Sequence, residues 1–182
     1  VLNLTNSAVS ESDPVFTPDG KFKYITTNRF SSSYPRGASP MLYRLELEKV
    51  KRPQEGEEFD KLFGKGGAKK DSSVVVNQNY IQRRFNQVVR GGVQNSPFIF
   101  TLKDKSWLLF GSSHEGSGAI YIQELKDWDQ KPPKKLAGVT SAGKYITNGK
   151  DLFIIGRDGL FKIDAAAASA TKIEIAANFT KN

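Results

Sequence analysis

Gly143-Lys-Tyr-Ile-Thr-Asn-Gly-Lys-Asp-Leu-Phe-Ile-Ile-Gly-Arg-Asp-Gly-Leu-Phe-Lys-Ile163 holds three short β-rich runs parted by two glycine-bearing turns. Asn148-Gly149 and Asp158-Gly159 supply the positive φ angles that tight hairpins need, so the stretch predicts an antiparallel meander. Thr171-Lys-Ile-Glu-Ile175 adds a fourth strand to it. Outside this stretch helical periodicity is nearly absent, and β-rich runs bounded by Gly, Pro, Asn, Asp and Ser recur, which predicts an all-β chain.

The same unit can be laid out twice more upstream. A first copy runs Asp13-Pro-Val-Phe-Thr-Pro-Asp-Gly20, Lys21-Phe-Lys-Tyr-Ile-Thr-Thr27, Met41-Leu-Tyr-Arg-Leu-Glu-Leu47 and Val74 to Val89. A second runs Pro97 to Leu102, the polar turn Lys103-Asp-Lys105, Ser106-Trp-Leu-Leu-Phe110, a glycine-rich loop, Ala119-Ile-Tyr-Ile-Gln123 and a short strand near Lys135-Leu136. Self-similarity at about 40 to 50 residues is the mark of propeller blades. The expectation is one unit, residues 1–182, of about three four-stranded antiparallel blades of a partial β-propeller, with repeats near 12–90, 91–138 and 139–176. Two loops break the regularity: Phe30 to Pro40, and a charged insertion at 49–72 that reads as a solvated linker. Leu2 to Thr5 reads as the last strand of a preceding blade, and the start on Val1 without Met predicts a piece of something longer.

Composition removes several classes of function. A chain of 182 residues with 38% hydrophobic content can bury a core. No run of about 18 apolar residues occurs, so no membrane-spanning helix is expected. Zero cysteines exclude disulfides and thiolate metal sites, and the single histidine, His114, leaves few zinc or imidazole-based arrangements. No cofactor is expected. A net charge of +8 invites nucleic-acid binding, but the basic residues are spread along the chain and interleaved with Glu55, Glu57, Glu58 and Asp60, so no nucleic-acid partner is expected either.

Pro14-Val-Phe-Thr-Pro-Asp-Gly-Lys-Phe-Lys-Tyr-Ile-Thr-Thr-Asn-Arg29 resembles a blade signature shared by TolB-type and prolyl-oligopeptidase-type propellers. The order that follows it, a Ser/Pro/Arg-Gly loop, Leu42-Tyr-Arg-Leu-Glu-Leu47, a charged insertion and Val75-Val-Asn-Gln-Asn-Tyr-Ile-Gln-Arg-Arg84, is similar to the propeller of tricorn-like serine proteases. Asn77-Gln-Asn79 departs from the acidic and glycine residues of the family's strand. The resemblance spans roughly residues 1–178. It implies a propeller that precedes a PDZ-like module and a separate serine-peptidase domain, so that the family's catalytic residues have no counterparts here. It also implies a scaffold, with peptide substrates, the remainder of a parent protease chain, or self-association through open blade edges as its partners. Bacterial relatives of this type are often exported, which implies a periplasmic setting. The alternative is a TolB-like module for protein binding, and a third reading is a glycan-binding propeller.

Each chemistry-bearing motif has a plainer explanation beside it. His114-Glu115 lies in Gly111-Ser-Ser-His-Glu-Gly-Ser-Gly118, where a Ser/His/acid arrangement could form, but an exposed hairpin loop is expected instead. Gly64-Lys-Gly-Gly67 lacks the phosphate-loop spacing and a following helix, so a linker is expected. Asp13, Asp19, Asp104, Asp151, Asp158 and Asp164 fall singly at turns, without the alternation of an ion-binding loop. The sequons at Asn3 and Asn178 read as chance matches. Trp107, Tyr43, Tyr121 and Tyr145 alternate with apolar neighbours and belong in the core, whereas Trp128 sits in the polar run Lys126-Asp-Trp-Asp-Gln130 and is a candidate surface contact. Arg83 and Arg84 are candidate peptide contacts. On a strand they would point to opposite faces, and one of them could hold a peptide carboxylate in a bidentate contact.

Overall fold

The computed structural model describes residues 9–30, 39–48, 76, 81–127 and 130–174. Leu2 to Thr5, the charged insertion, Gly64-Lys-Gly-Gly67, Trp128 and both sequons lie outside the described residues.

The described chain is all-β: three four-stranded antiparallel sheets, each a simple meander. Blade 1 contains β1 (Glu11–Phe16), β2 (Phe22–Thr27), β3 (Met41–Glu46) and β4 (Phe85–Gln87). Blade 2 contains β5 (Val93–Leu102), β6 (Lys105–Ser112), β7 (Ala119–Glu124) and β8 (Lys134–Lys135). Blade 3 contains β9 (Lys144–Thr147), β10 (Leu152–Gly156), β11 (Gly159–Asp164) and β12 (Ser169–Ile173).

The turns carry the meanders. Gly149 and Gly159 adopt φ of 84° and 130°, in the region the sequence required. Asn148 reinforces the first of these turns, since its Oδ1 accepts from the backbone N–H of Lys150 and Asp151 at 3.0 and 2.7 Å. In blade 1, Gly20 takes φ 71°, and Asp19 Oδ1 accepts from the Thr17 hydroxyl and the Lys21 N–H. The β5–β6 hairpin is built differently. Lys103 and Asp104 both stand at positive φ, 49° and 61°, between paired Leu102 and Lys105. This is the two-residue geometry that matches strand twist, here made without glycine.

Side-chain alternation then stacks the three sheets. On β6 and β7, Leu108, Phe110, Ala119 and Tyr121 turn toward blade 1, where they meet Phe22, Tyr24 and Leu42. Their neighbours Trp107, Leu109, Ile120 and Ile122 turn the other way and meet Leu152, Ile154, Phe161 and Ile163 of blade 3. Blade 2 is therefore buried on both faces, and period-two alternation alone decides which neighbour each residue meets. The first strands β1, β5 and β9 lie along one side of the stack: Ser96 of β5 donates to Asp13 of β1 at 2.7 Å, and a pocket joins β5 to β9. On the opposite side Ala137, beyond β8, bridges to Ser169 of β12.

One strand assignment is corrected. Val74 to Val89 was expected to be a strand, but Ile81–Arg84 forms a 3-10 turn, and among the described residues of that stretch Phe85–Gln87 is the part that pairs with β3 as a strand. The turn drops Ile81 into a buried cluster with Leu45 and Leu47, and Arg84 Nη1 donates to the Leu47 carbonyl at 3.0 Å. The ladder between β3 and β4 stops at Leu45 and Phe85, and beyond it the Leu47 carbonyl is satisfied by a side chain instead.

Candidate functional site

The first site to judge is the one the sequence placed at His114. Ser112 ends β6, His114 follows in the loop, and Tyr121 comes back on β7. His114 Nδ1 lies 3.1 Å from Ser112 Oγ, Glu115 Oε1 lies 4.0 Å from His114 Nε2, and the Tyr121 hydroxyl donates to Glu115 Oε2 at 3.1 Å. The three residue types of a nucleophilic triad are thus brought together. Their geometry does not serve that chemistry. Ser112 is 0% exposed, and its one hydroxyl proton goes to the Gly92 carbonyl at 3.0 Å. The hydroxyl oxygen consequently accepts from the His114 side, whereas a nucleophile must give its proton to the imidazole. The 4.0 Å separation from Glu115 is too long for a hydrogen bond.

The loop between β6 and β7 is exposed at Glu115 to Gly118, as expected, while His114 at its start folds back onto the sheet. The His114 ring packs on Tyr121 with centroids 4.2 Å apart, and only glycine fits at position 91, where a Cβ would come within 2.7 Å of His114 Cα. Burial raises the Tyr121 pKa, and its bond to Glu115 raises it further. The cluster fastens the β6–β7 loop onto the Gly91-Gly92 segment.

Between blades 1 and 2 a cleft of about 320 Å³ opens beside Asp19, Tyr24, Lys105, Glu124 and Lys126. Its charges are committed to one another. Lys21 Nζ meets Asp127 at 2.6 Å across the two blades, and this bond raises the lysine pKa. Lys105 meets Glu124 at 3.0 Å and lowers the carboxyl pKa. Arg44 lies 4.5 Å over the Phe22 ring and donates to the Lys126 carbonyl at 3.1 Å. Tyr24 beside it is pushed up to about 12 by burial, with Arg44 acting the other way. This is an interblade clamp.

Between blades 2 and 3 a pocket of about 430 Å³ lies where β5 meets β9. Both are end strands of their sheets, so one side of each carries no partner strand among the described residues. β5 is irregular there, with register shifts between Val93 and Asn95 and between Asn95 and Phe98, as strands often are beside functional surfaces. Pro97, which cannot donate to a ladder, fits such an edge. Phe98 and Tyr145 stack at 5.2 Å and 22° to form the aromatic part of the lining, and Asn95 Nδ2 donates to the Ala142 carbonyl at 3.3 Å. The Tyr145 hydroxyl is shut from solvent and makes no hydrogen bond among the described residues. Burial pushes its pKa up to about 12, with the neighbouring Asn95 amide opposing. The pocket is roomy and its lining mixes polar groups with the Tyr145 ring, whose hydroxyl is enclosed rather than presented to it.

No family model matches the chain, and no curated protein matches it.

The residues expected at a peptide contact are not gathered in this pocket. Arg83 and Arg84 sit on the 3-10 turn of blade 1, so the strand-alternation argument for them does not hold. Arg84 gives Nη1 to Leu47, while its Nε and Nη2 are buried without hydrogen-bond partners, and burial lowers its pKa against the pull of Glu46. Trp128 lies outside the described residues. The six aspartates stay apart, and no cluster of three metal-ligating side chains occurs among the described residues. Asp164, for example, accepts from the Ala166 and Ala167 N–H groups, which is turn formation. Among the described residues no helix is long and apolar enough to cross a membrane. The Asn95, Phe98 and Tyr145 grouping was missed from the sequence. Its only signal there was the assignment of Tyr145 to the core.

Proposed function

We propose that this chain is a non-catalytic propeller segment of a tricorn-like protease, a scaffold that also holds peptides on their way to a separate serine-peptidase domain. The observation that carries the peptide part is the pocket between β5 and β9. Two strand edges that carry no partner strand among the described residues can exchange main-chain hydrogen bonds with an extended segment, and the stacked Phe98 and Tyr145 rings offer an aromatic surface beside them. The buried Ser112, whose proton is held by the Gly92 carbonyl, supports a segment without its own chemistry.

The test is anisotropy titration of short unstructured fluorescein-labelled peptides, with cleavage followed in the same samples by mass spectrometry. Binding that weakens about tenfold in Tyr145→Ala, the loss of part of the aromatic surface, is the expected result. Cleavage is expected to be absent from both the native chain and Ser112→Ala. Cleavage abolished by Ser112→Ala would overturn the non-catalytic reading. The absence of peptide binding would leave the TolB-like interaction module, which the uncovered apolar face of blade 3 favours.

A further inference from the structure

The first strands of the three sheets, β1, β5 and β9, each present an edge, and two of these edges are blunted. β1 shifts register between Ser12 and Val15, around Pro14, and β5 shifts between Asn95 and Phe98, around Pro97. Ser96 ties the two irregular segments together through Asp13 at 2.7 Å. A bulge with a proline inside it interrupts the row of donors that an added strand needs. β9 has neither device, since Lys144 to Thr147 pair with Ile155 to Leu152 in unbroken register.

The ladder decides which groups the β9 edge offers. The Asn148 N–H donates to the Asp151 carbonyl at 3.2 Å, and hydrogen-bonded pairs recur at every second position of an antiparallel ladder. Ile146 and Lys144 therefore direct their N–H and C=O groups to Phe153 and Ile155. Those of Tyr145 and Thr147 point away from β10, to the side that carries no partner strand among the described residues. The β10–β11 hairpin gives the same phase independently. Its two-residue turn closes on Gly156 and Gly159, which assigns Ile154 and Leu152 to β11 and leaves Phe153 and Ile155 for β9.

We infer that an extended peptide adds antiparallel to β9 as a fifth strand of blade 3, held by the main-chain groups of Tyr145 and Thr147, with an apolar side chain toward Phe98 and an acidic one beside Lys144. This assignment rests on the peptide reading above and places the contact on β9, not on β5. Main-chain bonds supply the affinity and alternate side chains the selection. A peptide residue opposite Tyr145 shares the face of that ring, which stacks on Phe98 at 5.2 Å beside the pocket. Its chain neighbours emerge on the back of the blade, the face turned away from the preceding blade, where Lys144 is exposed and Ile146 is 40% exposed.

Amide hydrogen exchange read by NMR on the 182-residue chain reports both edges at once. The probe is a short peptide of alternating leucine and glutamate, with its affinity followed by anisotropy. On saturation the Tyr145 and Thr147 amides should slow by about tenfold or more, while Ile99 and Thr101, which point outward on β5, stay unchanged. Leucine N-methylation should weaken binding by about tenfold or more, because the residue opposite Tyr145 gives its N–H to β9, and glutamate N-methylation should not. Protection at Ile99 and Thr101 instead, or binding that protects neither edge, would overturn the β9 assignment and keep the peptide reading. Absence of binding would remove the peptide reading and the assignment together. Equal affinity for a leucine and lysine peptide would overturn the role of Lys144, and protection that rises with protein concentration alone would give the edge to a second copy of this chain.

Discussion

Leu109 and Ile155 occupy the backs of two successive blades on corresponding second strands, yet one lies in a closed interface and the other faces water. Leu109 is 0% exposed among Trp107, Ile122, Leu152 and Ile154. Truncation to alanine removes about 2.4 kcal/mol of burial at ~0.8 kcal/mol per methylene. Cavity formation between two close-packed sheets brings the cost to about 3–5 kcal/mol. Ile155 loses the same number of carbons, but with 42% of the side chain already in water and no enclosed cavity to leave, its truncation should cost only about 1–1.5 kcal/mol. In a chain of this size the first change should lower the thermal midpoint by roughly 10 °C and the second by roughly 2–4 °C. Urea unfolding of Leu109→Ala and Ile155→Ala, read by both far-ultraviolet dichroism and tryptophan fluorescence, separates the two because Trp107 lines the blade 2–3 core. Equal costs would refute the layer order described above, and a cost below about 1.5 kcal/mol for Leu109→Ala would mean that blades 2 and 3 do not share a close-packed core.

Two other perturbations probe the sequence-to-structure links. Tyr24, buried at the blade 1–2 interface, has a pKa of about 12 in place of 10.0, so the folded state holds its proton more tightly than the unfolded chain does. That stability is fully present below pH 10 and is lost as pH rises toward about 12; Tyr24→Phe should remove about 2 kcal/mol of this alkaline sensitivity, measured as the change in urea midpoint between the two pH limits. At the β5–β6 hairpin, the joint change Lys103→Asn and Asp104→Gly places the preferred residues at two positive φ angles and should stabilise the chain by about 1 kcal/mol. No gain in urea midpoint would mean that the hairpin does not hold the left-handed conformation.

The elements that were legible in the sequence are those whose cause is local. Asn148-Gly149 and Asp158-Gly159 announce hairpins because positive φ is a property of the turn residues themselves, and the apolar run Trp107 to Phe110 announces a strand, though not that both its faces are buried. Lys103-Asp104 reads only as a polar turn, since nothing in lysine or aspartate marks the left-handed pair that the flanking strands impose. The turn at Ile81–Arg84 was not legible for a different reason. Val75 to Arg84 has strand composition, and what holds the turn at Ile81–Arg84 is distant in the chain: the Leu47 carbonyl for Arg84 and an apolar niche beside Leu45 and Leu47 for Ile81. Of the candidate sites, the residues that could form a triad were visible but their use was not. The fate of the Ser112 proton depends on the Gly92 carbonyl, twenty residues away in the chain.

The two interblade sites divide the work of this stack in a way that bears on function. At the blade 1–2 interface Lys21 pairs with Asp127, Arg44 ties Phe22 to the Lys126 carbonyl, and Lys105 pairs with Glu124, so the charges around that cleft satisfy one another and fix two sheets in register. At the blade 2–3 interface the apolar core is as complete, but the strand edges beside it end in a pocket holding an unbonded phenol and an irregular strand. Each interface buries a hydroxyl without a hydrogen bond, Thr26 Oγ1 at the first and the Tyr145 phenol at the second, at about 1–3 kcal/mol apiece. A scaffold needs only the first kind of junction. The second kind sets two strand edges, without partner strands among the described residues, beside an aromatic-lined pocket, which is why peptide binding at β5 and β9 is the property to measure in this chain.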